Sequence, residues 1–324
     1  ARLFMDSLQP VLAHLLSPVI LAFVLGLAAT WLRSDLRIPD ELHSTLSLYL
    51  LLAIGLKGGA SLAGVPMAEL WAPALLTLAL GVITPCIAYF LARRALGTGV
   101  PDSAALGAHY GSVSAVTFLA TLEYLDRLEV PYAPYSVALL AMLEVPAIIV
   151  ALAIARSRLR SEQGIWSSLR EVLVSKSVFL LIGGLILGWI GGPSGLERVA
   201  PFFVDPFQGV LLLFLLDLGM VTARRLGEVR ALGLRPIAFG IVVPLLHAGI
   251  TLAAATAIGL SEGTTAVLAT LVASASYIAA PAAVRLALPQ ANPGLYLGLS
   301  LGVTFPFNLT VGIPLYRWVA GFLT

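Results

Sequence analysis

Residues 107–117 read Gly107-Ala108-His109-Tyr110-Gly111-Ser112-Val113-Ser114-Ala115-Val116-Thr117, and residues 271–281 read Leu271-Val272-Ala273-Ser274-Ala275-Ser276-Tyr277-Ile278-Ala279-Ala280-Pro281. Each lies inside an apolar stretch long enough to cross a bilayer, which takes about 20 residues of helix. Both are weakly hydrophobic, rich in small residues, and carry hydroxyls at mid-span. One reading is close helix packing, because Gly, Ala and Ser let membrane helices approach. The other is that both helices break there and cross. A broken helix exposes backbone N–H groups at the start of its second half, and those groups with the positive dipole end attract an anion. The freed carbonyls and serine hydroxyls offer oxygen ligands to a hard cation such as Na⁺. No Lys or Arg lies in the middle of either segment. The break reading therefore predicts a small anion bound without an arginine.

The two segments are not independent. Leu25-Gly26 matches Leu187-Gly188, and Ile54-Gly55-Leu56 matches Leu218-Gly219-Met220. Pro73 matches Pro236, Gly97 matches Gly259, and Pro131 matches Pro293, all in the same order and at nearly the same offset. On that offset Gly111 falls on Ala275. Self-similarity of this kind marks an internal repeat. The segments richest in mid-span hydroxyls are thus repeat mates, which packing alone explains less well.

Composition places the repeat in a membrane. Hydrophobic residues make up 59% of the 324-residue chain and charged residues 11%, and the mean hydropathy is +0.97. Soluble domains average about 25% charged residues, so a water-soluble enzyme and a disordered chain are both excluded. With 19 Lys and Arg against 17 Asp and Glu, no basic excess exists to neutralise nucleic-acid phosphates. The single cysteine, Cys86, permits no internal disulfide. Ten apolar stretches are read at about 10–32, 42–62, 71–96, 103–125, 132–156, 171–192, 206–226, 234–259, 262–286 and 292–322. The alternating pattern of a membrane barrel is absent. The first stretch lacks a strong basic start and a cleavage site, so it reads as a span and not as a signal peptide. The expected fold is an all-α integral membrane protein of ten transmembrane helices. Residues 1–156 form a first five-helix repeat, 157–170 a polar cytoplasmic linker, and 171–324 a second repeat. Five spans per repeat is odd, so the second half enters the membrane inverted, with discontinuous helices 4 and 9 crossing. Many secondary transporters are built this way, with the site at the repeat interface.

Fourteen of the 19 cations fall on one face, among them Arg93, Arg94, Arg156, Arg158, Arg224 and Arg225. The positive-inside bias makes that face cytoplasmic and puts both termini outside. Asp217, in Leu216-Asp217-Leu218-Gly219, is a carboxylate deep in span seven and reads as a Na⁺ or H⁺ ligand or, closer to the interface, as a partner of the nearby arginines. Glu144, before Pro146, is a second intramembrane acid facing the bundle or a subunit contact. Lys57 lies near the outer end of span two, placed to snorkel or to touch substrate. His14, His43 and His247 read as structural, and no His pair has metal-ligand spacing. No phosphate-binding Gly-x-x-x-x-Gly-Lys motif occurs, so ATP is not the energy source. No catalytic set is discernible, and the chain reads as no enzyme.

The runs Leu51-Leu52-Ala53-Ile54-Gly55-Leu56-Lys57-Gly58-Gly59, Tyr110-Gly111-Ser112-Val113-Ser114, Leu143-Glu144-Val145-Pro146-Ala147, Leu216-Asp217-Leu218-Gly219 and 273–281 together resemble the sodium-dependent bicarbonate transporter family, best known from cyanobacteria. The resemblance covers nearly the whole chain in order, and 273–281 is its most specific piece. It implies a 5+5 inverted repeat with gate and core domains, a homotrimer in the inner (plasma) membrane, and symport of HCO₃⁻ with Na⁺ into the cell. It implies substrate contacts at Gly111, Ser112, Val113, Ser114, Ala275, Ser276 and Tyr277, and a Na⁺ site at Asp217, Ser114, Ala273 and Ser274. A PII-like cytoplasmic regulator is a further implied partner. Two departures stand out: Ala115-Val116-Thr117 lacks one hydroxyl of the family pattern, and Glu144 stands where the family pattern has Asp. The alternatives are a carrier of another small monoanion and a cation/proton antiporter. The antiporter needs a titratable carboxylate at the crossing, and neither crossing segment contains one.

Overall fold

The computed structural model describes residues 14–159, 170 and 173–324, and the described residues are helical without strands. The expected linker, 157–170, falls outside them apart from 157–159 and Arg170, as does the start of the first expected span.

Helix α1 is Pro18–Trp31, started by Ser17, whose hydroxyl accepts the Ile20 N–H at 3.3 Å, with proline in the first turn. Such capping satisfies an amide that the helix itself cannot. Helix α2 is Asp40–Leu62. Helix α3 is Met67–Leu96, its last turn wound as a π-helix and stopped by Gly97 at φ 68°, a backbone state that glycine enters without steric cost. Helices α4, Val100–Gly111, and α5, Ala115–Arg127, follow. Helix α6, Ser136–Leu159, is interrupted at Val145 before Pro146. Helix α7 is Lys176–Phe203, kinked at Gly192 (φ 61°) ahead of Pro193. Helices α8, Phe207–Leu232, and α9, Leu234–Ala257, are joined at Gly233. Helices α10, Glu262–Val272, and α11, Ala280–Ala287, are separated by a non-helical stretch. Helix α12, Pro293–Leu323, contains two π turns flanking Pro306, where the missing proline N–H disturbs the regular ladder.

Among the described residues each of the ten expected apolar stretches is helical, although the helix of the sixth runs on past its expected end at 192 to Phe203 and that of the seventh past 226 to Leu232. Among the described residues seven are long and apolar enough to cross a membrane, and Pro18–Trp31 and Glu262–Val272 are shorter apolar helices. Stretches four and nine are each two helices with a break.

Glycines set how the long helices cross. A Cβ on Gly26 would lie 2.0 Å from the Leu216 carbonyl oxygen, and one on Gly219 would lie 2.1 Å from that of Phe23, so α1 and α8 touch backbone to backbone. Helices α2 and α7 do the same: a Cβ on Gly59 would meet the Leu185 oxygen at 2.0 Å, and one on Gly188 the Leu56 oxygen at 2.2 Å. Such contacts replace the hydrophobic driving force that lipid does not supply. Beside these pairs, α4 packs against α3 and α6, and α10 against α9 and α12. The outer faces of α3 and α7 expose Trp71, Leu75, Phe90, Phe179, Trp189 and Ile190. Apolar faces of that extent suit lipid contact and not water.

Candidate functional site

The two interruptions meet each other. Helix α4 ends at Ser112, which is extended (φ −88°, ψ −178°), and α5 restarts after Ser114, also extended, whose hydroxyl accepts the Thr117 N–H at 3.1 Å. Glycine at 111, β-branched Val113 and serines that compete for backbone bonds all disfavour helix here. The Ser114 N–H donates to Ser274 Oγ at 2.8 Å, and the Ser276 N–H donates to the His109 carbonyl at 2.8 Å. Each break thus uses a group of the other to satisfy a backbone group that its own helix leaves orphaned. Ser276 Oγ accepts the Ala280 N–H at 3.2 Å and starts α11, where Pro281 sits in the first turn.

These bonds limit what each atom has left to offer. Ser114 Oγ donates to the Tyr277 hydroxyl (3.1 Å) and accepts from the Thr117 amide and hydroxyl (3.1 and 2.9 Å), which uses its donor and both lone pairs. Ser274 Oγ donates to the Leu271 carbonyl and keeps one lone pair. The Ala273 carbonyl accepts Asn308 Nδ2 at 2.9 Å and also keeps one. Ser112 Oγ donates to the Glu144 carbonyl at 3.1 Å. Gly111 packs: a Cβ there would lie 2.7 Å from Pro85 and 2.9 Å from Ala147. The N–H groups of Ala115 and Val116, first in α5, have no acceptor within the helix.

A small cavity sits at the crossing, lined by Val113, Ser114 and Ala115 of the first break, Tyr277 and Ile278 of the second, and Leu51, Glu144 and Ser177. No basic residue lines it. Tyr277 and Ile278 also border a larger vestibule of about 550 Å³, lined by Asp40, His43, Asp217 and Arg224 among others. A second vestibule, about 430 Å³, lies towards the opposite ends of α2 and α8, with Lys57, Glu123, Asp126 and Gln208. Lys57 Nζ there stands 4.9 Å from the centre of the Phe207 ring. His43 and Lys57 are about 21 Å apart along α2 at 1.5 Å per residue. A narrow apolar space walled by Leu51, Ile54, Ala115, Leu119 and Ile278 shares residues with all three. The spaces form a chain between the glycine-clamped helices and the broken ones.

The expected site residues divide accordingly. Ser114, Ser274, Ser276 and Tyr277 are brought together. Ala275 is buried beside them but contributes no polar side chain. Asp217 is buried, yet its carboxylate pairs with His43 Nδ1 on α2 and lines the vestibule on the far side of Tyr277. His43, read from sequence as structural, is therefore the partner of this acid. Glu144 borders the crossing cavity although neither crossing segment carries an acid. The antiporter alternative thus gains the carboxylate it lacked in sequence. Pro146, which interrupts α6 directly after Glu144, was the sequence signal for it. His14 and His109 hold backbone carbonyls of Leu309 and Ala105.

Ser114→Ala removes the cap of α5, and Ser276→Ala removes the acceptor of the first α11 amide. Each is expected to cost about 1 kcal/mol of stability, read as a lowered thermal midpoint of purified protein, and to raise the apparent substrate constant by more than that loss accounts for. An equal, purely structural loss in both points to packing as the only role of these serines.

Together these features define a polytopic helical membrane protein whose interrupted helices meet at a small internal cavity. The profile of the Na⁺-dependent bicarbonate transporter superfamily matches residues 18–321, nearly the whole chain, and the protein belongs to that family. Membership implies a transporter and not an enzyme. No curated protein matches the chain.

Proposed function

We propose that the chain imports bicarbonate by Na⁺ symport, with the anion held where the two broken helices meet. The observation that carries this reading is the pair of reciprocal bonds, Ser114 N–H to Ser274 Oγ and Ser276 N–H to the His109 carbonyl. They hold two helix breaks against one cavity, beside the unsatisfied first amides of α5. Those amides and the helix dipole favour an anion there. The space has room for about one water molecule, so even bicarbonate enters only if the breaks move apart, and a bulky organic substrate suits it less.

The cavity has no basic side chain, so the charge of the anion needs a counter-charge from elsewhere. A co-bound Na⁺ lowers the cost of burying the anion, and by reciprocity the anion tightens the cation. The oxygens with spare lone pairs, on Ser274 and Ala273, suit that ion; a contact to Ser114 Oγ requires the Thr117 hydroxyl to turn away. Asp217, across Tyr277, stands where an ion passing through the vestibule beside Arg224 meets it. On this reading that vestibule is cytoplasmic and the one with Lys57 external.

A ten-span inverted repeat is supported by the glycine crossings. Exchanging the repeat mates of Gly26 and Gly219 gives Gly188 and Gly55, which lie in the other crossing, one helical turn out of register. The clamped helices α1, α2, α7 and α8 then act as the frame past which the broken helices move. Apolar outer surface on α7 suits a homotrimer contact as well as lipid.

Labelled bicarbonate uptake into proteoliposomes under an inward Na⁺ gradient tests the symport: uptake is expected to require Na⁺, and Na⁺-independent uptake overturns it. Proton flux on adding Na⁺ without an anion favours the antiporter, to which Glu144 at the crossing lends a carboxylate.

A further inference from the structure

The vestibule at the Lys57 end of α2 is built differently from the one beside Asp217. Lys57 Nζ stands 4.9 Å from the centre of the Phe207 ring, where the ring face attracts it. A ring face does not cancel a charge, and among the described residues no carboxylate pairs with Lys57. The two acids of the same wall are each engaged: Glu123 pairs with Arg127 one turn on, and Asp126 accepts the Tyr132 hydroxyl. Most of the remaining wall is apolar, with Ile54, Leu119, Leu122, Val137 and Leu211. The space inside holds about five water molecules. A mostly apolar wall with a few placed polar groups is the usual make-up of a small-molecule site. A wholly polar anion would leave oxygens against leucine and valine, which is costly. A carboxylate with a short hydrocarbon tail matches both parts of the wall.

We propose that this vestibule is a second anion site, which takes a short-chain monocarboxylate of propionate or butyrate size with its charge on Lys57 and its tail among the apolar side chains. Ile54 and Leu119 also wall the narrow space that runs on towards the broken helices. A filled site therefore stands between bulk water and the crossing, and its occupant plugs the route of the transported anion from that side. Occupancy needs nothing from the symport reading, whereas the plugging of bicarbonate entry rests on it.

The test is thermal unfolding of the purified protein in nanodiscs, titrated with acetate, propionate and butyrate at constant pH, Na⁺ and ionic strength. In wild type the midpoint rises, and the half-saturating concentration falls about threefold for each added methylene. In Lys57→Met, which keeps an unbranched side chain without the charge, the half-saturating butyrate concentration rises at least about tenfold. An unchanged concentration in that variant overturns the proposal. So does a flat acetate-to-butyrate series in wild type, a result that needs no variant to fold. Butylammonium, with the same tail and the opposite charge, is expected to have no effect; stabilisation by it assigns the site to Glu123 and Asp126 and overturns the proposal. In proteoliposomes, external butyrate is expected to slow initial bicarbonate uptake with the half-effect concentration seen in the titration. Uptake indifferent to saturating butyrate overturns the plug. Na⁺-independent uptake overturns the symport reading and leaves the butyrate titration standing.

Discussion

Gly219→Leu is expected to leave little or no folded transporter. A Cβ at this position would lie 2.1 Å from the Phe23 carbonyl oxygen and 3.0 Å from the Gly26 Cα. Those are backbone atoms of α1, so no side chain can swing aside. The helices must separate, and the clamp between α1 and α8 opens along its length. Overpacking a core costs about 1–3 kcal/mol where side chains can adjust, and this site lies at or beyond the upper end. The measurement is the monodisperse fraction after detergent extraction and its thermal midpoint. Gly209→Leu is the control: it lies on the same helix, and a Cβ there meets nothing within 4 Å. It should extract like wild type. Equal behaviour of the two variants would show that the crossing is not what holds α8 in place.

Asp217→Asn is expected to reduce Na⁺-driven bicarbonate uptake at least about tenfold, about 1.4 kcal/mol, with extraction and oligomeric state unchanged. The asparagine is nearly isosteric and its amide oxygen can still pair with His43, so the fold keeps its contact. What disappears is a negative charge buried at the wall of the vestibule that Asp40, His43 and Arg224 also line. The measurement is initial uptake rate into proteoliposomes at fixed Na⁺ gradient. Unchanged uptake removes Asp217 from ion passage and leaves it a structural partner of His43.

Much of this architecture was legible because membranes simplify the code. Twenty-residue apolar stretches must be helices, and their ends are marked by Gly97, Gly233, Gly259, proline and charge. The breaks were legible because Ser112-Val113-Ser114 and 273–281 combine small residues, hydroxyls and Pro281 in segments that otherwise ask to be helical. Local rules could not reach the pairing between distant elements. Gly26 and Gly188 match as repeat mates, yet each packs against a glycine-bearing helix of the other half. The partner of Asp217 is 174 residues away at His43. Glu144 reaches the crossing only because α6 packs against α4, which composition does not reveal. The proline after it marked an interruption but not what the interruption faced.

Tyr277 and Ile278 belong to the wall of both the inner cavity and the 550 Å³ vestibule. On the proposed symport, these two neighbouring side chains stand as the cork between the anion pocket and the vestibule, and a smaller residue in place of Tyr277 would let sodium leak through without freight.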